Sequence, residues 1–126
     1  MSAYLLDSHV FLWLSPEKPR LRAAVVDALA TGDRLLLSVA SVAELCIKAS
    51  LGKLDIPLDL SKAMDVMGIQ ALPLSYDHAA ALRTLPLHHR DPFDRLMIAQ
   101  AMTDGLTLVT HDRAFARYDG LSVLWA

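Results

Sequence analysis

Four carboxylates stand out in this chain of 126 residues: Asp7, Glu44, Asp94 and Asp112. Each falls beside a predicted strand end or helix start. Asp7 follows the short apolar run Tyr4-Leu5-Leu6. Asp112 comes just past Leu106-Thr107-Leu108-Val109. Glu44 lies within two turns of the start of the helix after Leu35-Leu36-Leu37. Asp94 is the third residue of a helix opening at Pro92. Carboxylates gathered at one edge repel, raise one another's pKa and call for a cation. Carboxylate oxygens with water suit Mg²⁺ or Mn²⁺ better than zinc. The chemistry these residue types point to is that of a hard divalent ion.

The elements that must position them can be read in order. Pro92 suits the first position of a helix, where its missing N–H costs nothing, so Asp91 is the expected N-cap. Asp94 then sits in the positive end of the helix dipole. Leu96 to Met102 are apolar almost all round, as in a helix buried against a sheet, and Gly105 stops it. Before it come an expected helical turn at Ser8–Trp13, a loop at Ser15–Pro19 and a helix over Leu21–Ala30 closed by Gly32. The Glu44 helix is capped by Ser38 or Ser41 and ends near Leu51. A helix over Leu58–Met67 and a strand Ile69–Leu72 follow, then a helix from Tyr76 to Leu85 capped by Ser75 or Asp77. A short helix at Phe115–Tyr118 and a strand Leu121–Leu124 close the chain. Five short apolar strands alternating with helices predict an α/β domain with a mostly parallel sheet covered on both faces. Sites in such sheets form at the carboxyl ends of the strands. Asp94 joins the other three acids there only if the strand before its helix is placed correctly.

Every acid also has a structural use. Asp7 and Asp112 are placed to cap the helices that follow them, and Asp94 serves a helix dipole. Glu44, flanked by apolar residues, has Lys48 four positions on in the favourable order for an ion pair. Cys46 lies on the same apolar helix and is expected in the core. As the single cysteine it excludes an internal disulfide and a multi-cysteine zinc site, and it fits a reducing cytoplasm. His88 and His89, adjacent in a loop, make a poor pair of ligands for one metal, His9, His78 and His111 are read as surface or packing residues, and Trp13 and Trp125 as packing anchors. The chain is 54% hydrophobic and 21% charged, enough for one substantial core and against disorder. A net charge of −2 carries no global footprint of nucleic-acid binding, although a local basic rim remains open. No run is long enough to span a membrane, and the N-terminus lacks a signal-peptide pattern. Neither a nucleophile elbow nor a phosphate-binding glycine loop is present.

In order along the chain, four stretches resemble the PIN-domain family, and within it the VapC-type ribonuclease toxins of toxin–antitoxin pairs. They are Leu5–His9, Ser38–Lys48 with Leu51–Leu54, Asp91–Ala101 and Leu108–Asp112. Asp94 and Asp112 lie 18 residues apart, as in the family. The family often has an aromatic where Ala43 stands. The resemblance covers nearly the whole chain and implies a single domain over residues 1–126, a three-layer α/β/α fold around a five-stranded sheet. It implies divalent-metal-dependent endoribonuclease activity through metal-activated water. Asp7, Glu44 and Asp94 match the three core metal-binding acids, and Asp112 matches a more variable fourth. Mg²⁺ is the implied ion, with Mn²⁺ as an alternative. An RNA substrate, a small cognate antitoxin, a homodimer and a cytoplasmic location follow as expectations. Basic residues must surround an acidic site that takes RNA, and Lys48, Arg90, Arg95 and Arg113 are nearest by sequence. The competing readings are a catalytically silent PIN-fold binding module, a phosphatase and a receiver-like domain. The four intact acids argue against the first, and the lone acid after the first strand argues against the last.

Overall fold

A computed structural model of the protein describes residues 3–14, 27, 30, 31 and 33–126. The loop Ser15–Pro19 and nearly all of the helix expected over Leu21–Ala30 lie outside those residues. The described strands are β1 (Ala3–Leu6), β2 (Arg34–Ser38), β3 (Ile69–Leu72), β4 (Thr107–Thr110) and β5 (Ser122–Trp125). The described helices are α1 (Ser8–Trp13), α2 (Val39–Ser50), α3 (Leu60–Met67), α4 (Tyr76–Ala81) and α5 (Pro92–Asp104), with a 3-10 turn at Arg113–Arg117.

All strand pairs are parallel, in the order β3-β2-β1-β4-β5. Side chains alternate across a strand, and both sets are apolar here. Leu5 is in register with Leu36 on one side and Leu108 on the other, and the three pack with Met97, Ile98 and Phe115. On the opposite face, Leu6, Leu37 and Val109 pack with Val10, Phe11 and Leu45. The central strands are therefore dry on both sides, which accounts for their continuous apolar runs.

The strand order also locates the site. From β1 the chain steps outward to β2 and β3, then returns to the other side of β1 for β4 and β5. The reversal between β1 and β4 leaves a crevice at their carboxyl ends, the usual place for a ligand in an open α/β sheet. Asp7 follows β1 and Asp112 follows β4. α5 brings Asp94 to the same edge: Asp91 caps it through the N–H groups of Phe93 and Asp94, Pro92 opens it, and Gly105 ends it at a left-handed φ of 67°. Five consecutive α5 residues, Met97 to Ala101, are buried, because α4 and α2 cover what the sheet leaves open.

Element boundaries differ modestly from expectation. α3 starts at Leu60 behind an Asp59 cap, and β5 lies one residue later than expected. α4 stops at Ala81 and not at Leu85, continuing as tight turns from Leu82 to Thr84. Pro86 disfavours helix at Leu85, and the carbonyls of Leu82 and Leu85 accept hydrogen bonds from Arg95.

Leu108→Ala removes a fully buried side chain from the core layer it shares with Leu5, Met97 and Ile98. It is expected to lower unfolding free energy by about 2–5 kcal/mol in denaturant titration. Leu58→Ala, at a fully exposed position, is expected to change it by less than about 0.5 kcal/mol.

Candidate active site

Asp7 is buried and held from three directions. Its Oδ1 accepts from the His9 backbone N–H at 3.4 Å, and its Oδ2 accepts from the Thr110 hydroxyl at 2.7 Å. The Asp7 N–H in turn donates to the Val109 carbonyl at 2.9 Å, tying it to β4. Burial pushes its carboxyl up, but the hydrogen bonds from His9 and Thr110 and the nearby His9 charge outweigh burial, so its pKa lies below the ordinary value. His9 is raised in return, chiefly by its contact with Asp7.

Ser8 joins the first acid to the second. Its hydroxyl lies 2.9 Å from Glu44 Oε1 and 3.4 Å from Asp7 Oδ1, and its single proton goes to the nearer. Glu44, buried on α2, also accepts from Lys48 Nζ at 3.2 Å, so the expected ion pair forms. Asp112 Oδ1 accepts from the Ala114 N–H at 3.0 Å, and Oδ2 lies 3.3 Å from His89 Nε2. Thr110 also accepts from the Asp112 N–H at 3.1 Å, so one hydroxyl touches both acids' segments.

Asp94 is treated differently. Its carboxyl is pushed up to about 7, first by burial and then by the charges of Asp91, Asp7, Glu44 and Asp112. The four sequence-predicted acids are thus brought within electrostatic reach of one point. Asp7, Asp94 and Asp112 line a pocket of about 350 Å³ together with His9, His111 and Arg113, and Glu44 is linked to Asp7 through the Ser8 hydroxyl. A larger hollow of about 620 Å³ between β3 and α3 holds one acid, Asp65, and no comparable convergence of charge.

The donors fit a hard divalent cation: all are carboxylate oxygens, and the raised Asp94 is a charge deficit that a cation relieves. Among the described residues no three His, Cys, Asp or Glu side chains are arranged to enclose an ion. The site is an open carboxylate edge, the form suited to an ion that keeps several waters.

The predicted basic rim is only partly present. Arg113 lines the pocket, its guanidinium 4.4 Å from the centre of the Trp125 ring, a stacked cation–π contact. Lys48 is engaged with Glu44. Arg90 is exposed and does not line the pocket. Arg95 is corrected outright: its guanidinium donates to the carbonyls of Leu82, Leu85, Pro86 and His89, so it clamps a loop. Cys46, expected in the core, is exposed because it lies on the outward side of α2. His78, read as a surface or packing residue, is buried, accepting from the Ser75 N–H and pairing with Asp104 at 2.9 Å. Ser8, Thr110 and His89 were not singled out as site residues. Thr110 and Ser8 flank acids at strand ends, which is the signal that could have found them.

The family model of the PIN domain matches residues 4–121. The chain belongs to the PIN-domain family. A relative, ribonuclease VapC22 of Mycobacterium tuberculosis, is 32% identical over 116 residues, covering 90% of this chain and 89% of that protein. Two solved structures share the PIN fold at lower identity. VapBC2 from Rickettsia felis, bound to a DNA fragment from its promoter, has a TM-score of 0.75 at 17% identity, covering 98% of each chain. VapBC-1 from nontypeable Haemophilus influenzae has a TM-score of 0.68 at 22% identity, covering 97% of this chain and 96% of that one.

Asp94 generates a pH prediction for this PIN domain. Its folded-state pKa of about 7 lies above the ordinary 3.8. The stability associated with its protonation is complete below about pH 4 and is lost as pH rises through about 7. Metal-free wild type is expected to lose thermal stability relative to Asp94→Asn across that window. Added divalent cation should raise the wild-type melting temperature at about pH 8 and that of Asp94→Asn much less. Parallel pH profiles for the two proteins would show that Asp94 carries no such strain.

Proposed function

We propose that this PIN-domain protein is a divalent-metal-dependent endoribonuclease and the toxin of a toxin–antitoxin pair. The observation that carries the reading is the convergence of four acids at the β1/β4 crevice, one of them, Asp94, raised to about 7 by burial and then by Asp91 and the other three acids. Its relative's name, ribonuclease VapC22, supports RNA as the substrate. The structural neighbours are complexes named VapBC, which supports a small antitoxin partner. Residues 1–126 act as one PIN domain, a homodimer is the expected assembly, and the cytoplasm the expected location. Mg²⁺ is the preferred ion, with Mn²⁺ able to replace it.

Asp7 and Asp94 would hold the ion, and Glu44 and Asp112 would complete its surroundings or orient the attacking water. The ion, when bound, neutralises the phosphodiester and lowers the pKa of water. The residues that fix the acids do the rest. Thr110 and His9 hold Asp7, Ser8 and Lys48 hold Glu44, and Asp91 sets the start of the helix that presents Asp94. Water oxygen bonds to phosphorus as the bond to the 3′-oxygen breaks, leaving a 5′-phosphate and a 3′-hydroxyl. Arg113, seated on Trp125, is the best-placed cation for a substrate phosphate.

Purified protein freed of any partner is to be incubated with structured RNA in Mg²⁺, in Mn²⁺ and in EDTA. Cleavage with 5′-phosphate ends is expected in both metals and not in EDTA. Asp94→Asn should lower the rate by about 100-fold or more. A 2′,3′-cyclic phosphate end would overturn water attack, and normal cleavage by Asp94→Asn would overturn the site. Arg113→Ala should weaken RNA binding at every sequence and reduce the slope of log affinity against log salt by about one. An unchanged slope would remove Arg113 from the phosphate contacts.

A further inference from the structure

His89 has no part in the reading so far, yet it is built into the site. It lies in the segment that joins α4 to α5, its side chain about nine-tenths buried. The ring packs against Phe115, 4.5 Å between centroids, and stacks on Tyr118 at 5.6 Å. Both nitrogens have partners: Nδ1 lies 3.0 Å from the Tyr118 hydroxyl, and Nε2 lies 3.3 Å from Asp112 Oδ2. An ionised carboxylate can only accept, so Nε2 carries the proton towards Asp112. In the neutral ring Nδ1 is then bare and accepts from Tyr118.

The backbone beneath His89 is fixed as well. Its carbonyl accepts from Arg95, which also binds the carbonyls of Leu82, Leu85 and Pro86. Arg95 follows Asp94 directly on α5. One rigid unit thus carries the third acid and, through His89, grips the fourth. Asp112's other oxygen is held by the Ala114 N–H at 3.0 Å, so the carboxylate is gripped at both ends.

We propose that His89, backed by Tyr118, is a positioning residue for Asp112: its Nε2–H holds that carboxylate facing the acid pocket, in fixed relation to Asp94. The proposal rests on the metal-dependent reading of the pocket. It assigns His89 no contact with substrate. It requires that the effect of His89 on the site pass through Asp112.

The test is a double-mutant cycle on divalent affinity, with Mn²⁺ as the probe in calorimetry, using wild type, His89→Phe, His89→Gln, Asp112→Asn and the His89→Phe/Asp112→Asn double variant. His89→Phe keeps the ring packing and loses the donor. It is expected to weaken Mn²⁺ binding by about 10-fold, the usual size of effect when a partner of a ligating carboxylate is lost. His89→Gln, which keeps an N–H donor, should recover most of that loss, and His89→Phe should have little further effect once Asp112 is Asn. Equal losses from His89→Phe with and without Asp112, or no recovery in His89→Gln, would overturn the proposal. Nitrogen NMR of the wild-type imidazole gives a reading that needs no variant to fold. A ring protonated at Nε2 and bare at Nδ1 is expected, and a ring protonated at Nδ1 alone would overturn the proposal. If the coupling is present but wild type cuts no RNA, the role of His89 stands and the ribonuclease reading falls.

Discussion

The structure turns on mutual repulsion among carboxylates at a partly dry sheet edge. Three of them are countered by hydrogen bonds: Asp7 by Thr110 and His9, Glu44 by Ser8 and Lys48, Asp112 by His89 and Ala114. Asp94 is left with the deficit, and its raised pKa expresses it. Burial alone shifts one group. Here burial and four like charges act on the same carboxyl, and a bound proton or a cation relieves both. The strain on Asp94 is in this sense a property of the protein's own electrostatics.

Holding four acids near one another demands a stiff frame, and the frame is assembled from groups of several kinds. The sheet supplies β1 and β4 side by side, their register fixed by Leu5 between Leu36 and Leu108. Helix caps supply directions: Asp7, Asp91 and Asp112 each accept from backbone N–H groups at the start of the turn they open. Asp7 and Asp112 are therefore both caps and pocket residues, which dissolves the apparent choice between the two uses. Arg95 supplies the cross-link between α5 and the loop before it, its one guanidinium donating to four backbone carbonyls.

Much of this was legible in the residues. Strand ends at Asp7 and Asp112 could be read from short apolar runs followed by polar residues. The α5 start could be read from Asp91-Pro92, because cap chemistry is local. The parallel α/β class followed from alternation. What stayed hidden depended on contacts between distant segments. Arg95 looks like a phosphate ligand until the carbonyls of Leu82, Leu85, Pro86 and His89 are placed around it. Cys46 looks buried because its neighbours are apolar, yet its position on α2 turns it outward. His89 could not be paired with Asp112 from spacing alone, since 23 residues and the whole of α5 separate them. The family resemblance supplied the set of acids. The hydrogen bonds that brace them came only from the fold.

The bond from Thr110 to Asp7 spans 103 positions of chain. Asp7 leaves a ribosome well before Thr110 and Asp112 do. A growing or prematurely ended chain lacking β4 holds at most three of the four acids, and its Asp7 lacks the hydroxyl that braces it. Because contacts between distant segments form late, the pocket is completed only after β4 has been made. For a ribonuclease this order has a consequence: a copy that stops before β4 carries neither the Thr110 brace on Asp7 nor the fourth acid.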